Sequence, residues 1–167
     1  MKKLYLLRHA KSDWSDASQG DFERGLNARG EKALTTMAEV LKKKKIMPDL
    51  ILSSSATRAM LTAQGLAKNI HYKGKLKYLE TLYFADPQEI IEIIKEIKDK
   101  YDTVFIVGHN PETTELTNLI LDEYIDNVPT LGMVALNISV KQWNQFRPEN
   151  TTLDFFIYPK MFKPNLI

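Results

Sequence analysis

Short apolar runs of strand length alternate with longer segments of helical period along most of this chain, and that alternation narrows the folds open to it. Tyr5-Leu6-Leu7, Leu50-Ile51-Leu52 and Thr103 to Val107 each read as a buried strand, and Lys75 to Tyr78 as a weaker one. Between them, Leu34, Met37, Ala38 and Leu41 share one face of a helix that Asn27 can cap. Ala59, Ala63, Leu66, Ala67 and Ile70 do the same behind Ser55 as cap. Asp86-Pro87-Gln88-Glu89 offers a capping box, with proline at the first helical position, to a helix running to Lys100 that groups Ile90, Ile91, Ile94 and Ile97. A further helix after Gly108-His109-Asn110-Pro111 bears Leu116, Leu119 and Ile120. Met133 to Val140 and Thr151 to Tyr158 read as an antiparallel pair at one edge, and the tail with Pro159 and Pro164 as irregular. Strands alternating with helices argue for a mostly parallel sheet covered on both faces. The expectation is a three-layer α/β/α sandwich, with residues 1–167 forming one domain.

Composition removes several function classes. The net charge of +2 is too small to argue for nucleic acid, and the basic run Lys42 to Lys45 suits a solvated helix end. No cysteine is present, so disulfides and thiolate catalysis are excluded. Lys2 and Lys3 are followed by too few apolar residues for a signal-peptide core, and no segment reaches membrane-spanning length. The default expectation is a cytoplasmic monomer without membrane or nucleic-acid partners. The histidines His9, His71 and His109 form no close pair that would suggest zinc, and the carboxylates are not clustered, so no metal or other cofactor is expected.

The chemistry-bearing residues gather where strands should end. Arg8-His9 follows the first strand, Arg58 follows Leu52-Ser53-Ser54-Ser55 at a helix start, and His109 follows the strand ending at Val107. In open α/β sheets ligands are handled at the carboxyl ends of strands. A neutral imidazole can attack phosphorus when one ring nitrogen is free and the other is held by an acceptor, which suits His9. Guanidinium groups grip phosphoryl oxygens in bidentate fashion, which suits Arg8 and Arg58. Free N–H groups at the helix start would add to an anion site, Gly108 would permit a tight turn, and His109 could stabilise charge on the phosphoryl group. Trp14 is a candidate pocket wall or packing residue, Lys11 a source of positive potential, and His71 a surface residue.

Leu7-Arg8-His9-Ala10-Lys11-Ser12, the run Ser53-Ser54-Ser55-Ala56-Thr57-Arg58 and Gly108-His109-Asn110-Pro111 together resemble the histidine phosphatase superfamily. The resemblance extends to Arg24-Gly25-Leu26-Asn27-Ala28-Arg29-Gly30 and Leu82-Tyr83-Phe84-Ala85. Its nearest branch is the small bacterial phosphohistidine phosphatases of SixA type, which implies a phosphoglycerate mutase-like fold. The resemblance implies that His9 is the phosphorylated nucleophile, that Arg8, Arg58 and His109 complete the phosphate pocket, and that Ser12 donates a hydrogen bond. It also implies an acid near Glu80 to protonate the leaving oxygen, which would require a raised pKa. Ala10 stands where many members have glycine, and Ser15 where mutases place an asparagine, so the pattern is closer to phosphatases than to mutases. The short intervals between Arg58, Glu80 and His109 leave little chain for a lid. An open pocket suits a phosphorylated protein, phosphohistidine above all, and also admits small phosphate esters. A phosphate-recognition module without turnover is the alternative of another class.

Overall fold

The computed structural model describes residues 1–16 and 18–165. In chain order the elements are β1 (Lys2–Arg8), α1 (Ala28–Lys43), β2 (Leu50–Ser54), α2 (Thr57–Asn69), β3 (Lys75–Leu79), α3 (Pro87–Lys95), β4 (Thr103–Gly108), α4 (Glu112–Ile120), β5 (Met133–Ile138) and β6 (Thr151–Ile157). The strands form one six-stranded sheet in the order β3-β2-β4-β1-β5-β6. β3, β2, β4 and β1 run parallel, while β5 and β6 add antiparallel at one edge, as the sequence pattern implies.

The pleat divides the core in two. Tyr5, Leu7, Ile51, Phe105 and Val107 point to one face, where Leu34, Met37 and Leu41 of α1 and Ala59, Ala63 and Leu66 of α2 cover them. Their strand neighbours Leu4, Leu6, Leu50, Leu52, Val104 and Ile106 point to the other, against α3, α4, Trp143 and Phe146. Strands buried on both faces read as continuous apolar runs, which is why β1, β2 and β4 stand out in the sequence while the edge strand β3 does not. Fully burying one such aliphatic side chain stabilises the fold by about 1.5–3 kcal/mol.

Local chemistry sets the element ends. Asn27 caps α1 by accepting from the Gly30 N–H at 2.8 Å, and its amide donates to the Ser12 carbonyl at 3.1 Å. A Cβ on Gly30 would lie 2.4 Å from the Lys11 carbonyl oxygen, so glycine is what lets the helix start lie against the chain leaving β1. Asp86 and Glu89 form the expected capping box at α3. That helix stops at Lys95 rather than Lys100, because Glu96 and Ile97 turn their N–H groups to the carbonyls of Ile93 and Ile94, tightening the last turn. At α2 the cap is Ala56, not Ser55; the Ala56 N–H is taken by Ser54 Oγ at 3.2 Å, and the Ser55 hydroxyl is buried without a partner among the described residues. Leu119 is exposed, unlike Leu116 and Ile120. β5 ends at Ile138 because the Val140 N–H bonds back to the Ile138 carbonyl, out of the ladder. The tail forms a 3₁₀ segment, Pro159–Asn165. No helix among the described residues is long and apolar enough to cross a membrane.

Candidate active site

The register of the sheet brings the strand ends together. Arg8 pairs with Gly108 across β1 and β4, so His9 and His109 leave adjacent strands side by side, with ring centroids 5.3 Å apart. The His9 backbone is held by its N–H on the Gly108 carbonyl at 3.0 Å and by its carbonyl, which accepts from Leu131 at 3.1 Å. The next N–H, of Ala10, donates to Thr62 Oγ1 of α2 at 2.9 Å. His9 is thus positioned by three segments, not by its own side-chain packing alone.

Hydrogen bonding decides which imidazole nitrogen is reactive. His9 Nδ1 lies 2.7 Å from the Ala10 carbonyl, which can only accept, so the proton sits on Nδ1 and the lone pair on Nε2. Arg58 Nε donates to that Nε2 at 3.2 Å, consistent with the same tautomer. Burial, with Arg58 and Arg8 nearby, pushes the His9 pKa down to about 4, and the Ala10 hydrogen bond only partly opposes this. His9 is therefore neutral and nucleophilic at neutral pH.

His109 is arranged as a donor. Its Nε2 lies 2.8 Å from Ser54 Oγ, and that oxygen already accepts from Ala56. The Ser54 proton can then go to Nε2, which puts the ring proton on Nδ1. Nδ1 is buried without a hydrogen-bond partner among the described residues, as is Nε of Arg8. Arg8 is anchored through Nη1 on the Val128 carbonyl at 3.1 Å, which leaves its Nε side for an acceptor. Buried polar N–H groups without partners are costly, and a phosphoryl group is an acceptor suited to both. Two guanidinium groups and an imidazole N–H beside a neutral nucleophile make a site for a dianion undergoing displacement.

Other expectations meet mixed outcomes. Gly108 does not take a left-handed turn; among the described residues those with positive φ are Lys45, His71, Phe84 and Leu131. The Thr57 N–H at the start of α2 is bound by the Phe22 carbonyl at 2.9 Å, so with Ala56 also taken the site rests on side chains more than on a free helix terminus. Ser12 is buried in a backbone bridge to Leu26, and its hydroxyl makes no hydrogen bond among the described residues. Glu80 is exposed at the start of the turn Glu80–Leu82, and its carboxylate makes no hydrogen bond or ion pair among the described residues. Trp14 is exposed and carries the Arg24 guanidinium on its ring at 3.3 Å, so it braces the loop. Among the described residues no group of His, Asp and Glu is placed to hold a metal ion.

Two pocket residues escape the sequence reading. Asp21 accepts from Arg58 twice, through its carbonyl from Nη1 at 2.6 Å and through Oδ2 from Nη2 at 3.1 Å. Tyr83 donates its hydroxyl to the same Oδ2, and its ring stacks edge-on to His109 with centroids 5.4 Å apart. Asp21 sits in an aperiodic polar loop and Tyr83 just past a turn, where neither spacing nor strand position marks a residue. The Tyr83 hydroxyl and Arg58 hold the Asp21 carboxyl below the usual carboxylate range.

The two buried histidines link folding to pH. Burial lowers His109 to about 3 and His9 to about 4, against 6.5 for a free imidazole. Between these values the unfolded chain binds protons that the folded chain does not, so stability rises with pH there and is lost as pH falls through 6.5. We expect Tm to drop from pH 7 to pH 4, and the drop to be smaller in His109→Asn, as thermal unfolding across that range will show; an identical slope in both proteins would contradict it.

Comparison with known proteins agrees with this geometry. Residues 4–82 match the profile of the histidine phosphatase superfamily (branch 1). An uncharacterised chloroplastic protein of Arabidopsis thaliana is 30% identical over 86% of this chain and 70% of its own length. An uncharacterised protein of Mycobacterium tuberculosis is 30% identical over 92% of this chain and 100% of its own. A SixA protein of Agrobacterium tumefaciens, named as a phosphohistidine phosphatase, superposes with TM-score 0.82 and 27% identity, covering 95% of this chain and 98% of that one. A protein histidine phosphatase SixA complexed with tungstate shares the fold at TM-score 0.82 and 18% identity, over 96% and 99% of the two chains. With His9 and His109 side by side at the ends of β1 and β4 and a fold of the SixA type, this chain belongs to the histidine phosphatase superfamily.

Proposed function

We propose that this protein is a phosphatase that works through phospho-His9 and takes phosphohistidine on a protein as its substrate. The observation that carries the reading is the His9 tautomer: Nδ1 is tied to the Ala10 carbonyl, and the Nε2 lone pair faces the guanidinium of Arg58. His9 Nε2 attacks phosphorus, the P–N bond to the substrate imidazole breaks, and its electron pair returns to the substrate nitrogen. Arg8, Arg58 and the Nδ1–H of His109 stabilise the phosphoryl oxygens, so positioning and electrostatics supply most of the rate. The reading takes the chain as one domain acting as a cytoplasmic monomer, with guanidinium charge in the place a metal would otherwise fill. Glu80, exposed on its turn, is not needed as an acid, because the leaving imidazole can carry its proton on its other nitrogen.

An open cleft of about 470 Å³ adjoins Arg8, lined by Asn110, Pro111, Thr114, Tyr124 and Asp126 among others, and gives a substrate room beyond the phosphate pocket. A second groove, of about 210 Å³ between β3 and α3, is lined by none of the pocket residues. The names of the SixA structures point the same way. The test is phosphate release, with chelator present, from a phosphohistidine-bearing protein beside p-nitrophenyl phosphate. Faster release from the protein is the expected result; preference for the ester would move the substrate to small molecules, and binding without release would favour a recognition module.

A further inference from the structure

Hydrolysis of phospho-His9 needs a group that takes a proton from the attacking water, and the pocket offers few. Arg8 and Arg58 can only donate. His109 has Nε2 engaged by Ser54 and its proton on Nδ1, and Tyr83 spends its hydroxyl proton on Asp21. His9 itself carries the phosphoryl group at that stage. The Asp21 carboxylate, which accepts from the Arg58 guanidinium, is an acceptor of the pocket able to take that proton.

Its place is favourable. Nε and Nη2 lie on one edge of the planar Arg58 guanidinium, and they donate to His9 Nε2 at 3.2 Å and to Asp21 Oδ2 at 3.1 Å. Both acceptors bind the same guanidinium, so the Asp21 carboxylate belongs to the pocket that holds the nucleophilic nitrogen. A phosphoryl group on Nε2 brings oxygens that compete for the same edge and repel the carboxylate. The Asp21 backbone stays in place meanwhile, because its carbonyl is held by Arg58 Nη1 at 2.6 Å. The carboxylate is 43% exposed, so water can reach it.

We propose, on the phosphatase reading above, that Asp21 is the general base for hydrolysis of phospho-His9 and that Tyr83 is the residue that positions its carboxylate. Water oxygen bonds to phosphorus and one water proton passes to Asp21. The P–Nε2 bond breaks with its electron pair returning to Nε2, and the ring keeps its other proton on Nδ1, hydrogen-bonded to the Ala10 carbonyl. Phosphate leaves, and Asp21 gives its proton to solvent.

Rapid-quench measurement on a phosphohistidine-bearing protein separates the two half-reactions. In Asp21→Asn we expect phospho-His9 to build up toward one per site, formed about as fast as in wild type, with steady-state release slowed on the order of 100-fold or more. Asp21→Glu should recover part of the second step, and Tyr83→Phe should slow that step alone by a smaller factor. A purely structural role in pinning Arg58 predicts instead a slower first step and no build-up, which would overturn the assignment, as would wild-type dephosphorylation in Asp21→Asn. If wild type releases phosphate and no phospho-His9 forms in either protein, the covalent reading fails together with this one. A normal wild-type intermediate with an unaltered variant removes Asp21 alone.

Discussion

Replacing His9 with alanine is expected to abolish turnover, a fall on the order of 10⁴-fold or more, because the proposed mechanism loses the atom that bonds to phosphorus. The remaining pocket can still attract phosphate through Arg8, Arg58 and His109, so binding should survive where release does not. Phosphate release together with trapping of the phosphoenzyme checks this: the variant should show neither, while equilibrium binding of inorganic phosphate stays measurable. The imidazole is 7% exposed and its removal leaves a small gap, so a modest change in Tm is compatible with the assignment. Near-native rates in the variant would sink the covalent mechanism.

The second large effect is expected at Arg58. Its guanidinium faces the His9 lone pair and would meet the phosphoryl oxygens as charge develops, and Arg58→Ala should lower kcat/KM by about 100- to 1,000-fold. Arg58→Lys should recover little, since an ammonium keeps the charge and loses the planar edge on which Nε and Nη2 act together. Loss of Arg58 also releases Asp21, so the defect should exceed that of one lost hydrogen bond. Steady-state kinetics on both variants decide the matter: equal efficiency in wild type and Arg58→Ala would remove the residue from the phosphate pocket.

Much of the site is legible in the chain because of where its residues stand. Arg8, His9 and His109 each follow an apolar run that could only be a strand, and Arg58 follows a serine-rich turn into a helix. Such places are the carboxyl ends of parallel strands, which the sheet gathers at one end. Asp21 is of the opposite kind. It lies in a loop with no period, and its importance comes from two contacts with a residue far along the chain. Tyr83 likewise reaches the pocket only because the turn after β3 folds toward Asp21. Glu80, the acid that a linear reading favours, shows the limit from the other side, since its turn leaves it in solvent.

The sequence by itself determined the α/β layering, the antiparallel edge, and the placing of Arg8, His9, Arg58 and His109 at strand ends and a helix start, because apolar period and strand ends are local properties. The tertiary structure alone decided the protonation pattern and the company those residues keep. Ala10 places the proton of His9, Ser54 that of His109, and Asp21 accepts from both Arg58 and Tyr83. Each of these depends on a distance of a few ångströms between atoms, and most join segments that the chain keeps apart until the sheet has formed.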